Sequence, residues 1–272
     1  MSRSVIFNGK EIVGSISPLD RSFALGDGLF ETIKVVGGRA VWLDEHLERM
    51  FNSARFAGIV CALAPVELSD ACVEFIGNEK IIDGFLRITM SRGETATGRF
   101  SEMPQTGTLV ITGGESASDM AYLRAGFGNW NVNENDPSVY HKTTSRFSSV
   151  LAFRVARERG LDELVYLNSN GMVTEGIVSN IFWFKDGVLK TPSVECGLLG
   201  GVARSKVLRA ALALGIRTET GAYLAETLRD ADGMFFTNSL WVIRACDEFD
   251  GKRYSDVDNI ILSLKDSICN GL

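Results

Sequence analysis

Four two-residue turn signals punctuate this chain, and each joins a pair of short apolar runs: Asn8-Gly9, Gly37-Gly38, Asn170-Gly171 and Asp186-Gly187. Such dipeptides supply the positive φ that tight hairpin turns require, so each pair of runs reads as two antiparallel strands. The segments are SVIFNGKEIV, the stretch LFETIKVVGGRAVWL after a glycine-punctuated loop, ELVYLNSNGMVTEG and SNIFWFKDGVLKTP. GFLRITMSRG, GTLVITGGE and Ala125 to Val132 read as further strands, and GMFFTNSLWVIRACDEFDG as strand, turn, strand. Helical spacing appears between them. In LDEHLERMFNSARFAGI the residues Leu43, Leu47, Met50, Phe51 and Ala54 fall on one face. PVELSDACVEFIGNE, SSVLAFRVARERG (closed by Gly160), ARSKVLRAALALG, AETLRDA and the tail SDVDNIILSLKDSICNGL predict further helices. Strands and helices mix without strict alternation, which predicts an α+β fold and not a doubly wound parallel sheet.

A length of 272 residues suits two lobes. The composition shift around GESASDMAY places a linker at 116–121, between a small N-terminal α/β domain (1–115) and a larger C-terminal domain (122–272). With 45% hydrophobic and 23% charged residues the chain is ordinarily globular. A net charge of −6 argues against a nucleic-acid partner, whose phosphates call for clustered lysine and arginine. No stretch resembles a membrane span or a signal peptide. Five scattered cysteines without a CxxC fit reduced thiols in the cytoplasm. Two histidines, His46 and His141, exclude a histidine-rich metal centre and leave almost no material for Ser-His-Asp catalysis.

The pairing of Lys142 in HKTTSR with Glu175 in VTEGIVSNIF carries the most chemistry. Schiff-base catalysis needs an amine that condenses with an aldehyde, and a pyridine cofactor needs an acid opposite its ring nitrogen. In GLLGGVARSKV two glycines open a helix, whose free amides and positive dipole end suit a phosphate. Singly, each signal also has a plain reading. Lys142 is then a surface lysine, Arg49 part of a solvated helix face, Glu31 an edge-strand charge, Ser239 a turn hydroxyl and the glycines a strand-to-helix turn.

Taken in order, DRSFALGDGLFET, DEHLERM, HKTTSR, VTEGIVSNIF, GLLGGVAR and FFTNSL resemble the class IV, fold-type IV family of pyridoxal-phosphate enzymes, from about Phe7 to Cys246. That family comprises aminotransferases (branched-chain, D-amino-acid and (R)-selective amine) and 4-amino-4-deoxychorismate lyases. The resemblance implies a homodimer whose larger lobe has a barrel-like sheet, with the cofactor in the cleft. It implies that Lys142 bonds the cofactor aldehyde and then carries the proton, and that Glu175 faces the pyridine nitrogen. Arg49, the amides of Val202 and Ala203, and Ser239 beside Leu240 would hold the phosphate. Ala203 stands where the family often has threonine, so one side-chain contact is missing. Phe30, Thr32, Arg87 and Arg99 are the candidate substrate residues.

Within the family, HKTT-x-R, DELVYLN and CGLL-G are most similar to the lyases. Branched-chain enzymes usually place tyrosine five residues after the lysine, where this chain has Phe147, and an HYG-type turn where it has Ala24-Leu25-Gly26. The loop RGETATGRFSE lacks the Arg-x-His pair of Bacillus-type D-amino-acid enzymes. Two departures from the lyases are Ser149, where fused lyases often carry tyrosine, and TNSLWVIRA. The resemblance therefore implies a lyase releasing 4-aminobenzoate and pyruvate, with an aminotransferase as the alternative.

Overall fold

A computed structural model describes residues 3–97, 99–115, 122–254 and 258–269, so the expected linker at 116–121 lies outside the described residues. The chain forms two compact units. One holds the described residues up to 115 together with His141–Arg146, and the other holds 122–140 and the chain from Phe147 onward. The lysine segment, expected with the second domain, thus packs in the first unit.

The first unit is a six-stranded antiparallel sheet in the order β2-β1-β6-β5-β3-β4. Its strands are β1 (Arg3–Asn8), β2 (Glu11–Val13), β3 (Gly28–Val36), β4 (Arg39–Ala40), β5 (Gly84–Ser91) and β6 (Thr108–Glu115). Side chains alternate along each strand. Ile33 and Val35 of β3, Leu86, Ile88 and Met90 of β5, and Leu109 and Ile111 of β6 join one core cluster. Leu47, Met50 and Ala54 of α2 (Leu43–Ala57) and Leu68, Cys72 and Phe75 of α3 (Pro65–Glu79) complete it. Phe30, Thr32, Arg87 and Thr89 fall at the intervening positions and so on the opposite sheet face. One helix was not foreseen. α1 (Arg21–Leu25) occupies the expected glycine loop; Asp20 accepts from the Ser22 N–H at its start, and Gly26 ends it at φ 68°.

The second unit carries nine strands: β7 (Tyr122–Val132), β8 (Glu163–Asn168), β9 (Val173–Gly176), β10 (Asn180–Lys185), β11 (Val188–Pro192), β12 (Thr218–Gly221), β13 (Gly233–Asn238), β14 (Val242–Phe249) and β15 (Lys252–Arg253). Their order is β12-β11-β10-β13-β14-β7-β8-β9, with β15 on β14. β7 runs parallel to both β8 and β14, and β11 parallel to β12; the remaining pairs are antiparallel. The sheet curls until its ends meet, where the Val173 N–H donates to the Tyr223 carbonyl at 2.7 Å and Met172 bridges Leu224. This is the barrel-like sheet of the expected fold class. α4 (Phe147–Glu158) lays Ala152 and Ala156 against Leu164 of β8. α5 (Val202–Ala213), α6 (Glu226–Arg229) and α7 (Asp258–Cys269) complete the unit. Among the described residues no helix is long and apolar enough to cross a membrane.

Leu86 is fully buried, whereas Ile12 is 70% exposed. Leu86→Ala is expected to lower stability by about 2–5 kcal/mol through the cavity it leaves, and Ile12→Ala by no more than about 0.5 kcal/mol. Urea unfolding midpoints of the two variants check this.

Candidate active site

Within the first unit the lysine segment lies along the edge of β3. The Phe30 N–H donates to the Lys142 carbonyl and the Thr144 N–H to the Gly28 carbonyl, both at 2.9 Å, and Thr143 bridges Leu29. Thr144 and Ser145 hydroxyls donate to the Gly26 carbonyl at 2.8 and 3.0 Å. A Cβ on Gly26 would sit 2.5 Å from Ser145 Oγ, so glycine is required there by contact as well as by its positive φ. At the other end His141 stacks on Phe56 (4.4 Å between centroids), with its Nδ1 2.9 Å from Ser53 Oγ. Burial lowers the His141 pKa and favours a neutral imidazole. The segment is a strap, tied at both ends, that fixes the backbone of Lys142.

Arg49 belongs to a stripe on α2 with His46, Ser53 and Phe56. It is 16% exposed, not solvated. Its Nε and Nη2 donate to both oxygens of Glu31, at 2.8 and 2.6 Å, and His46 Nδ1 lies 2.7 Å from Glu31 Oε2. Burial drives the Glu31 carboxyl upward, but the Arg49 charge and the His46 and Arg49 hydrogen bonds overcome it and hold the group at about 2. Glu31, which sequence reading left as an edge charge, therefore orients the predicted phosphate arginine.

On the opposite sheet face Phe30 meets two cations, with Arg87 Cζ 3.9 Å and Lys142 Nζ 4.6 Å from its ring centroid. Thr32 is Arg87's cross-strand partner. Burial and then the charge of Arg146 lower the Arg87 pKa, so the two guanidiniums feel each other. Lys142, Phe30 and Arg87 thus come together, with Arg146 as an addition. Arg99 does not join them. It is exposed, and its carbonyl accepts from Arg21 Nη1 at 2.8 Å. A network unseen in the sequence holds Arg21 in place, because Arg21 and Arg92 both donate to Asp27. A cavity of 510 Å³ on the Thr89 and Val110 side of the sheet includes none of the predicted residues.

The second unit holds the other candidates. Glu175 is the penultimate residue of β9, and its Oε2 accepts from Asn180 Nδ2 and the Leu199 N–H, each at 3.1 Å. Asn180 also donates to the Leu199 carbonyl at 2.9 Å, fixing the approach to α5. A Cβ on Gly201 would fall 2.1 Å from Asn180 Oδ1, so any side chain there would push Asn180 from its place. Intrahelical bonding of α5 starts with the Ser205 N–H, which donates to Gly201; the amides of Val202 and Ala203 have no acceptor within the helix. Two oriented amides at a positive helix end fit a phosphate, as the cofactor requires. At the β13–β14 turn Asn238 Oδ1 accepts from the Leu240 and Trp241 amides at 3.0 and 3.2 Å, so Leu240's N–H is committed to the turn beside Ser239. Asn180 and Asn238 stand in the quoted motifs SNIF and TNSL, but sequence reading gave neither a role.

A family model described as Amino-transferase class IV matches residues 28–249. A Methanocaldococcus jannaschii protein, provisionally named a branched-chain-amino-acid aminotransferase, is 30% identical over 258 residues, covering 91% of this chain and 88% of its own. The aminodeoxychorismate lyase of Bacillus subtilis is 28% identical over 229 residues, covering 83% and 78%. Among solved structures, a provisionally named 4-amino-4-deoxychorismate lyase of Legionella pneumophila superposes with a TM-score of 0.89 at 25% identity, over 96% of this chain and 97% of that one.

The depressed Glu31 carboxyl gives stability that is fully present above the ordinary value of 4.5 and is lost as pH falls toward 2. Glu31→Gln should cost about 3 kcal/mol at pH 7 by leaving Arg49 without its counter-charge. The gap from the parent should close as pH falls from 4.5 to 2. Unfolding curves across that range check the slope, and a gap independent of pH would contradict it.

Proposed function

The chain belongs to the class IV aminotransferase family of pyridoxal-phosphate enzymes, and from that membership we propose a lyase that converts 4-amino-4-deoxychorismate to 4-aminobenzoate and pyruvate. The observation that carries this reading is the company of Lys142. Arg87 shares the Phe30 ring with it, and Arg146 stands on the same strap within electrostatic reach of Arg87. Two guanidiniums near one reactive amine suit a substrate bearing two carboxylates.

Pyridoxal phosphate, when bound, supplies an aldehyde and a cationic ring that takes up an electron pair from the carbon bearing the substrate nitrogen. Lys142 would be the residue that holds the aldehyde, and its side-chain amine would carry the proton of the carbon bearing the substrate nitrogen. Glu175, held by the Asn180 side chain and the Leu199 amide, would stand opposite the pyridine nitrogen and keep its proton in place. Arg49, oriented by Glu31, would hold the phosphate, as would the amides of Val202 and Ala203 and the Ser239 hydroxyl. Loss of the enolpyruvyl group as pyruvate leaves an aromatic ring, so no amino acceptor is needed. α4 begins with Phe147, 76% exposed, so no phenol stands at the position where branched-chain enzymes usually carry one. Exposed Phe23, Phe100 and Met103 on the first unit support pairing with a second copy, and five free cysteines support a cytoplasmic setting.

Amino transfer to a 2-keto acid is the second reading, favoured by the likeness to the Methanocaldococcus protein. Incubation with aminodeoxychorismate and no keto acid separates the two. The lyase is expected to release pyruvate and 4-aminobenzoate in equal amounts over many turnovers; product that stops at one equivalent, or needs a keto acid, points to transfer. Lys142→Ala is expected to reduce turnover about a thousandfold or more. After borohydride treatment its mass should show no attached cofactor, while the parent's does.

A further inference from the structure

Glu163 is a buried carboxylate, 1% exposed, that the chemistry above leaves unused. It opens β8. One of its oxygens accepts from the backbone N–H groups of Ile177 and Leu164 at 2.6 and 3.1 Å, and the other accepts from Ser179 Oγ at 2.7 Å. The Val178 amide contributes as well. Gly176 packs so closely that a Cβ there would lie 2.8 Å from the Glu163 carboxyl carbon. Apart from Leu164, which follows Glu163 on β8, these donors come from one turn, closed by the Gly176 N–H donating to the Ser179 carbonyl at 2.7 Å. The residues flanking that turn are Glu175 and Asn180, which are hydrogen-bonded to each other.

Every partner of Glu163 donates, so the pocket is built for an acceptor, and an apolar side chain of similar size would take the acceptor away from the buried Ile177 and Ser179 donors. Burial outweighs those bonds and pushes the carboxyl up to about 7. We propose that Glu163 is a positioning residue for Glu175: by clamping Gly176–Ser179 it fixes the carboxylate that holds the proton on the cofactor's ring nitrogen. This rests on the reading that Glu175 faces that nitrogen.

The test uses the holoenzyme loaded with pyridoxal phosphate labelled with ¹⁵N in its ring. Glu163→Gln turns an amide –NH₂ toward one of the donors and should loosen the turn. The ring ¹⁵N resonance is then expected to move toward its unprotonated position, and the affinity of the apoprotein for pyridoxal phosphate to fall about tenfold, the usual scale for an outer-shell change. Ser179→Ala removes a single donor and should move the resonance less, in the same direction. A resonance at the parent's position in either folded variant would overturn the proposal, and Ser179→Ala decides alone if Glu163→Gln does not fold. Glu175→Gln is the control: if it too leaves the resonance in place, the assignment of Glu175 has failed and the clamp falls with it.

Discussion

The strap between Lys142 and the edge of β3 is the interaction on which the candidate chemistry rests. A lysine on an ordinary loop samples many rotamers and backbone states, and ordering it during reaction would cost free energy. Here two main-chain bonds to Phe30 and Gly28, the Thr144 and Ser145 hydroxyls on Gly26, and the His141–Phe56 stack fix the backbone on both sides of the lysine. The residues before and after the strap, up to Tyr140 and from Phe147, belong to the second unit. The chain therefore hands one six-residue segment to the first unit, and the position of the amine is set by that unit's sheet.

Three carboxylates, Glu31 and Glu163 buried and Asp27 half-buried, show two ways of holding charge. Glu31 and Asp27 face guanidiniums, and in both the arginine contacts, joined at Glu31 by the His46 hydrogen bond, overcome burial and lower the pKa. Their bonds run side chain to side chain, and what they fix is the direction of an arginine: Arg49 in one case, Arg21 and Arg92 in the other. Glu163 faces backbone amides and a hydroxyl, burial wins, and the pKa rises. What it fixes is main chain. An ion pair suits a site that must present a cation, and neutral donors suit a turn that must keep its shape.

The legible parts of the fold were those whose cause is local. Asn8-Gly9, Gly37-Gly38, Asn170-Gly171 and Asp186-Gly187 each sit at a real hairpin, because positive φ is a property of one or two residues. α2 and α3 followed from their spacing. By contrast α1 is five residues among glycines, too short for periodicity, and its cap on Asp20 is visible only once it is formed. β12, with the polar sequence TETG, exists because it lies parallel to β11, a long-range pairing that no window of sequence contains. The same holds for the site. The pairing of Arg49 with Glu31 joins two elements far apart in the chain, and the Asn238 hold on the Leu240 amide forms only in the finished turn.

The start of α5 shows how the sequence keeps an anion site open. Most helices gain from a capping side chain, worth about 1 kcal/mol when serine, threonine, aspartate or asparagine accepts from the first amides. α1 has such a cap in Asp20, whereas α2, α3 and α6 begin at Trp42, Ala64 and Ala225 with none, as α5 does at Gly201. A serine or aspartate there would satisfy the amides of the first turn itself and compete with any phosphate for them. It would also drive its Cβ into Asn180 Oδ1, 2.1 Å away, and so disturb the bond from Asn180 to Glu175. Glycine therefore serves two demands at one position, leaving donors unclaimed and making room for the asparagine. The same logic explains how alanine can stand at position 203. With the amides unclaimed and aligned with the helix dipole, the anion is bound by main chain, and a hydroxyl on that residue adds to the grip without creating it.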